Sequence, residues 1–181
     1  MKNLLLIMSM LISTMALYAQ KDVTKFLGIP VDGSESEMVK KLKEKGFRNS
    51  STDGMLEGEF NGSDVYIAIL TNNRKVWRIA VADQTPRDET QIKIRFNRLC
   101  QQFEDNGNYL SSTDQTLSDT EDIGFGIRVE KKQYAAVFYQ KPITDMMQRM
   151  VWFTIASDPL DNYRIWIYYD NLYNQANGED L

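Results

Sequence analysis

Apolar and polar positions alternate along the chain with two periods, one helical and one of strands. Met38, Val39 and Leu42 make an apolar stripe, with Lys40, Lys41, Lys43, Glu44 and Lys45 on the wet side of the same predicted helix. Ser34 followed three residues later by Glu37 is a capping box, in which the hydroxyl takes an orphan amide and the carboxylate reaches back. Gly46 supplies a left-handed end, and Phe47 can fold back on the last turn. Ahead of this helix, Pro30 holds Ile29 extended and Asp32-Gly33 makes a turn. Three strands at hairpin spacing follow. Leu56, Gly58 and Phe60 alternate with Glu57 and Glu59, and Asn61-Gly62 is a tight-turn pair. Val65, Ile67 and Ile69 alternate with Tyr66, Ala68 and Leu70, a strand apolar on both faces and expected to be central. After a turn at Asn72-Asn73-Arg74, the third strand is expected to put Trp77, Ile79 and Val81 on the core face and Arg78 on the other.

Ile92, Phe96, Leu99 and Phe103 predict a second amphipathic helix, opened by Thr85-Pro86 with Asp88 and stopped by Asn106-Gly107. Residues 111–122 are polar and read as a surface loop. Ile123, Phe125, Ile127 and Val129 then alternate with Gly124, Gly126 and Arg128, the period of a strand. Gly124-Phe125-Gly126 lacks the helix and Lys of a phosphate loop and reads as strand with close backbone approach. Further strands are predicted over 134–140, 150–156 and 163–169, with a break at Lys141-Pro142, a connector over 143–148 and a turn at Ser157-Asp158-Pro159. The tail from 171 is polar apart from Leu172 and Tyr173 and is expected to fray. The expectation is an α+β fold: an antiparallel sheet of about seven strands covered by two amphipathic helices, in the order α-βββ-α-ββββ. That order would also divide into two related halves, 26–84 and 85–170.

Residues 1–19 change the picture of where this domain works. A basic Lys2, a short apolar run and Ala19 before a polar stretch have the form of a secretory signal peptide, too short for a membrane span. Cleavage near Ala19 would leave 20–181 as a single α+β domain, periplasmic or secreted. A lipoprotein would carry a Cys just after the apolar run; the one Cys of the chain is Cys100, on the apolar side of the second helix and expected to be an inert buried thiol. A single Cys in an exported chain makes no internal disulfide, so packing must hold the fold. The net charge of −4 argues against nucleic acid as a partner. The sequence has 0 His, which removes Ser-His-Asp and Cys-His catalysis and the usual zinc sites at once.

The run Phe26-Leu27-Gly28-Ile29-Pro30-Val31-Asp32-Gly33, the helix ending Leu42-Lys43-Glu44-Lys45-Gly46-Phe47, the stretch Glu57-Gly58-Glu59-Phe60-Asn61-Gly62 and the ending Ile167-Tyr168-Tyr169-Asp170 together resemble a functionally uncharacterised family of small exported bacterial proteins with an FxGIP(V/I)xG opening. The resemblance implies secretion and a shared fold, and carries over no active site. More loosely, a capped helix followed by an antiparallel meander is similar to repeats of the beta-lactamase-inhibitor and outer-membrane-assembly-lipoprotein type, a likeness of fold alone.

Candidate chemistry is sparse. Asp114, Asp119, Glu121 and Asp122 offer oxygens for calcium, but without the alternating acids and turn Gly of a calcium loop they read as a solvated linker. Asp158 and Asp161 flank Pro159 and read as a turn before a catalytic pair. No catalytic residue, metal ligand or cofactor is assigned. Tyr134, Phe138, Trp152, Trp166, Tyr168 and Tyr169 crowd the last strands, and Trp152, Trp166 and Tyr168 are the candidate ligand-binding residues: exposed, they would suit a partner protein, a peptide or a glycan; covered, they are packing. The expected function is a non-catalytic binding or structural module. The alternatives are a carboxylate-dependent hydrolase of glycans or peptides, and an inhibitor or chaperone-like partner of an envelope protein.

Overall fold

The computed structural model describes residues 23–175 apart from 53, 112, 144–148 and 161. The expected signal peptide, Asp161, most of the connector and the end of the tail lie outside the described residues.

The fold is α+β. A small hairpin, β1 (Lys25–Phe26) and β2 (Ile29–Pro30), precedes helix α1 (Glu35–Glu44). Four strands follow: β3 (Arg48–Asn49), β4 (Met55–Phe60), β5 (Ser63–Asn72) and β6 (Lys75–Asp83). Helix α2 (Glu89–Asp105) opens the second half, which continues with β7 (Tyr109–Leu110), the short helix α3 (Ile123–Arg128), β8 (Ala135–Gln140), β9 (Met150–Ser157) and β10 (Tyr163–Asp170). The main sheet is antiparallel, eight strands wide, in the order β3-β4-β5-β6-β10-β9-β8-β7. This order is symmetric about the β6–β10 seam. Each half contributes a helix and then four strands, and the two final strands, both ending in Asp, pair at the centre.

Local chemistry sets the elements. Ser34 Oγ accepts from the Glu37 amide and Glu37 Oε2 from the Ser34 amide, the capping box in full. At the other end the Phe47 amide bonds to Leu42 O and the Gly46 amide to Lys43 O, with Gly46 at φ +99°, so the left-handed cap satisfies two carbonyls otherwise left open. Asn61-Gly62 and Asn73-Arg74 both adopt positive φ, the backbone that joins twisted antiparallel strands through two residues. Both long helices lie on one face of the sheet, where Met38, Leu42, Ile92, Phe96 and Leu99 meet Ile67, Ile79, Val81, Phe153, Ile165 and Ile167 in one continuous core. Phe26 is fully buried within that core, its ring 4.9 Å from Tyr169 and 5.1 Å from Phe60.

Three expectations fail. Residues 123–129 are not a strand: Ile123–Arg128 is helical, with Asp122 Oδ1 accepting from the Phe125 amide at 2.7 Å. A four-residue spacing satisfies both periods, so Ile123 and Ile127 face the core from a helix as well as they would from a strand. The exposure of Phe125, 48%, and Val129, 62%, decides for the helix. Its glycines do mark close approach, Gly126 to the Tyr134 phenol and Gly124 to Arg128 and Tyr163. The second helix starts later than expected, with Asp88 as its cap, accepting from the Gln91 amide at 2.8 Å, and Pro86 outside it. Trp77 leaves the core face because a bulge moves the register from Leu70↔Arg78 to Thr71↔Val76, which gives the buried position to Val76. The two-residue strands β1, β2, β3 and β7 are too short to carry a period, and the sequence does not announce them.

Gly58 tests the packing of α1's end against β4. A Cβ there would lie 2.6 Å from Phe47 Cδ1, whereas a Cβ at Gly107 meets nothing within 4 Å. Gly58→Ala is expected to lower stability by about 1–3 kcal/mol through overpacking, with Gly107→Ala close to neutral, read from urea denaturation midpoints.

Candidate functional site

With both long helices on one face, strand alternation turns a second row of side chains to the other. On β10 these are Arg164, Trp166, Tyr168 and Asp170, on β9 Trp152 and Thr154, on β6 Arg78, Ala80 and Ala82, and on β5 Tyr66, Ala68 and Leu70. The register sets Ala68, Ala80, Tyr168 and Trp152 in one cross-strand row and Tyr66, Ala82, Trp166 and Thr154 in the next. Trp152, Trp166 and Tyr168 therefore converge on the face opposite the two long helices, where each is half-buried. The other three candidate aromatics go to the core: Tyr134, Phe138 and Tyr169 are buried.

The three rings stand against one another. Tyr168 stacks on Trp152 with centroids 4.3 Å apart and planes 28° apart, and on Trp166 at 6.3 Å and 15°. The Arg78 guanidinium lies over the rings of Trp77, Tyr168 and Trp152 at 4.4, 4.7 and 5.4 Å. Beneath them Asp170, with its side chain at 0% exposure, accepts two bonds from Arg78, at 2.6 and 2.7 Å, and one from Trp152 Nε1 at 2.9 Å. A fully buried carboxylate is stable only when paired and hydrogen-bonded, and this one is both. Ala80 and Ala82 are buried although no helix among the described residues covers them, and Tyr168 and Trp166 lie directly across from them.

A second feature opens on the helix side. A cleft of about 800 Å³ lies between the β1–β2 turn, the β4–β5 turn, the C-terminal end of α2 and the segment around Gln140. Gln140 ties its parts together: Oε1 accepts from the Lys25 amide at 2.7 Å, while Nε2 donates to Lys25 O at 3.0 Å and to the Tyr109 hydroxyl at 3.2 Å. Tyr169, buried beside Tyr109, also lines the cleft. Among the described residues lining the cleft, Lys25, Lys141 and Arg149 are cationic and Glu59 alone is anionic.

The chain matches no protein-family model, no curated protein and no solved structure.

The remaining candidates have local work. Asp114 Oδ1 accepts from the amide and hydroxyl of Thr116, which holds its carboxyl below the usual range. Glu121 takes bonds from Lys132 at 2.5 Å and from the Tyr134 hydroxyl at 2.6 Å, and these lower its pKa. Asp122 caps α3, and the Asp119 carbonyl accepts from Lys93 Nζ. Among the described residues no three His, Cys, Asp or Glu side chains gather as metal ligands. Asp158 closes its turn by accepting from the amides of Leu160 and Asn162, and the Asn162 bonds in particular lower its pKa. Cys100 is buried on α2 and burial pushes its thiol up to about 12, the condition of an unreactive sulfur. The cleft escaped the sequence reading. Asn61 and Asn106 were legible as turn and stop signals, which is what they are, and nothing in their spacing brings them to Gln140.

Asp170→Ala is expected to cost about 3 kcal/mol, because it leaves Arg78 with its charge and no counterion. The double variant Arg78→Met/Asp170→Leu should cost less than the single one, and a double-mutant cycle of denaturation midpoints checks this. Burial raises the pKa of both Tyr109 and Tyr169. A phenol whose folded pKa is raised contributes stability that is complete below its unfolded value of about 10 and is lost as pH rises toward the folded value. Alkaline titration should therefore show late tyrosinate absorbance arising together with loss of far-ultraviolet circular dichroism.

Proposed function

We propose that this chain is an exported, non-catalytic binding module that engages a partner protein through the open face of its sheet. Export is supported by the signal-peptide pattern of residues 1–19 and by the resemblance of residues 26–47 to exported bacterial proteins; among the described residues no helix is long and apolar enough to cross a membrane. The single observation that carries binding is the half-exposed cluster of Trp152, Trp166 and Tyr168 around Arg78, on the sheet face opposite the two long helices. Tyrosine, tryptophan and arginine supply most of the energy at protein interfaces.

Ring orientation favours a protein over a glycan. A sugar stacks on an exposed aromatic face, and here Tyr168 turns its faces to Trp152, Trp166 and Arg78. Ring edges, by contrast, fit between the side chains of another protein and attract its carbonyl oxygens. The hydrolase alternative needs two acids facing each other across a concave site; Glu59 is the one carboxylate lining the cleft among the described residues, and Asp158 belongs to its own turn. An inhibitor or chaperone-like role is the narrower form of the same reading. The acidic net charge gives nucleic acid no footing.

Trp166→Ala is the cleanest probe, since Trp152 also supports Asp170. A partner captured from native envelope extract and then purified should bind the variant about thirtyfold or more weakly, the range of an interface hot spot. Unchanged affinity, or retention of the protein on a glycan array that Trp166→Ala abolishes, would overturn the reading.

A further inference from the structure

We infer that the cleft beside Gln140 is a second binding site, separate from the aromatic face, for a small ligand carrying a single carboxylate. Its volume, about 800 Å³, is that of small-molecule sites. Its charge is opposite to that of the chain: the protein carries a net −4, yet the described lining sets Lys25, Lys141 and Arg149 against Glu59. A cleft of one sign concentrates ligands of the other.

The cations differ in what they are already doing. Lys141 Nζ donates to Gly107 O at 3.0 Å, just past the C-terminal end of α2. Arg149 is 2% exposed and donates to Pro142 O at 3.3 Å. Lys25 is a half-buried residue of the lining, and among the described residues its ammonium has neither a hydrogen bond nor an ion pair. Its backbone is fixed on both sides, by the Gln140 side chain and by pairing with Pro30, so the side chain is anchored beside the cleft. Lys25 is the anion contact.

The rest of the lining narrows the anion. Helix α2 brings its C-terminal turn to the cleft, and the carbonyl end of a helix carries partial negative charge. A phosphate group, which carries close to two negative charges, is disfavoured there more strongly than a singly charged carboxylate. A singly charged carboxylate on Lys25, attached to a body with hydroxyl or amide donors, fits a site that combines this helix end with the side-chain amides of Gln102 and Asn108. Phe60 and Phe103 give the body an apolar wall.

Such a ligand can be an acidic sugar or a peptide C-terminus, and both can be tested on the mature chain. Galacturonic acid with galactose as its neutral counterpart, and N-acetyl-trialanine with its C-terminal amide, are titrated while amide shifts are followed by NMR. At least one carboxylate probe is expected to shift resonances around Lys25, Gln102 and Gln140, to bind less tightly as salt is raised, and to outcompete its neutral counterpart; the probe that binds identifies the source. Lys25→Gln should weaken that binding roughly tenfold, the value of one charge-assisted hydrogen bond, with the circular dichroism spectrum unchanged. The inference is overturned if neither carboxylate probe binds, if a neutral counterpart binds as well, or if Lys25→Gln binds like the wild type.

Discussion

Among the described residues both long helices lie on one side of the wide antiparallel sheet, and on its other side the Arg78–Asp170 pair is the contact around which the exposed strands are organised. The pair bridges β6 and β10, the two strands where the halves of the chain meet, and it holds Trp77, Trp152 and Tyr168 around the guanidinium. On the helix side the same seam has a counterpart. Asp83, at the end of β6, accepts from Arg95 on α2 at 3.1 and 3.2 Å and from Arg87 at 2.6 Å. One ion pair fixes strand to strand across the open face, and the other fixes the second half's helix to the first half's last strand. Because removing one partner of such a pair strands a buried charge, slippage at the seam is penalised from both sides.

Much of the fold was legible because its signals are local and geometric. The Ser34 and Glu37 box, Gly46 and the Asn61-Gly62 turn each depend on one or two backbone angles that few residues satisfy, and each is found as read. The antiparallel strands of each half, and the α+β class, follow from period-two segments separated by such turns. Errors arose where a period had two solutions or a register was broken. Ile123 and Ile127 share a face in both geometries, so only the Asp122 cap and the exposure of Phe125 separate them. The bulge at Trp77 adds one residue to β6, and a count by twos from Ile79 passes over it.

The site was half legible. Strand period placed Trp166 and Tyr168 together on β10, opposite Tyr163, Ile165, Ile167 and Tyr169, and the pairing of Tyr168 with Trp152 brings in the third ring. What period cannot say is which face receives the helices, since Tyr169 and Tyr168 are the same residue type on opposite sides. That is decided by where α1 and α2 land, a long-range property. The cleft is further from reach: its walls come from segments far apart in the chain, 115 residues at the Lys25–Gln140 bond, and no local pattern encodes that proximity.

The two halves share an order of elements without sharing a surface. Arg78-Ile79 opens a run ending at Asp83, and Arg164-Ile165 opens one ending at Asp170, so the final strands are built on similar lines. Between those ends the first half carries Ala80 and Ala82 on the open face and the second carries Trp166 and Tyr168 directly across from them. Small residues opposite large ones let the rings lie close to the sheet and bury the alanines; a second pair of large rings on β6 would compete for the same space. The three rings therefore come from the second half, while the small residues they lie across and the guanidinium over Tyr168 come from the first.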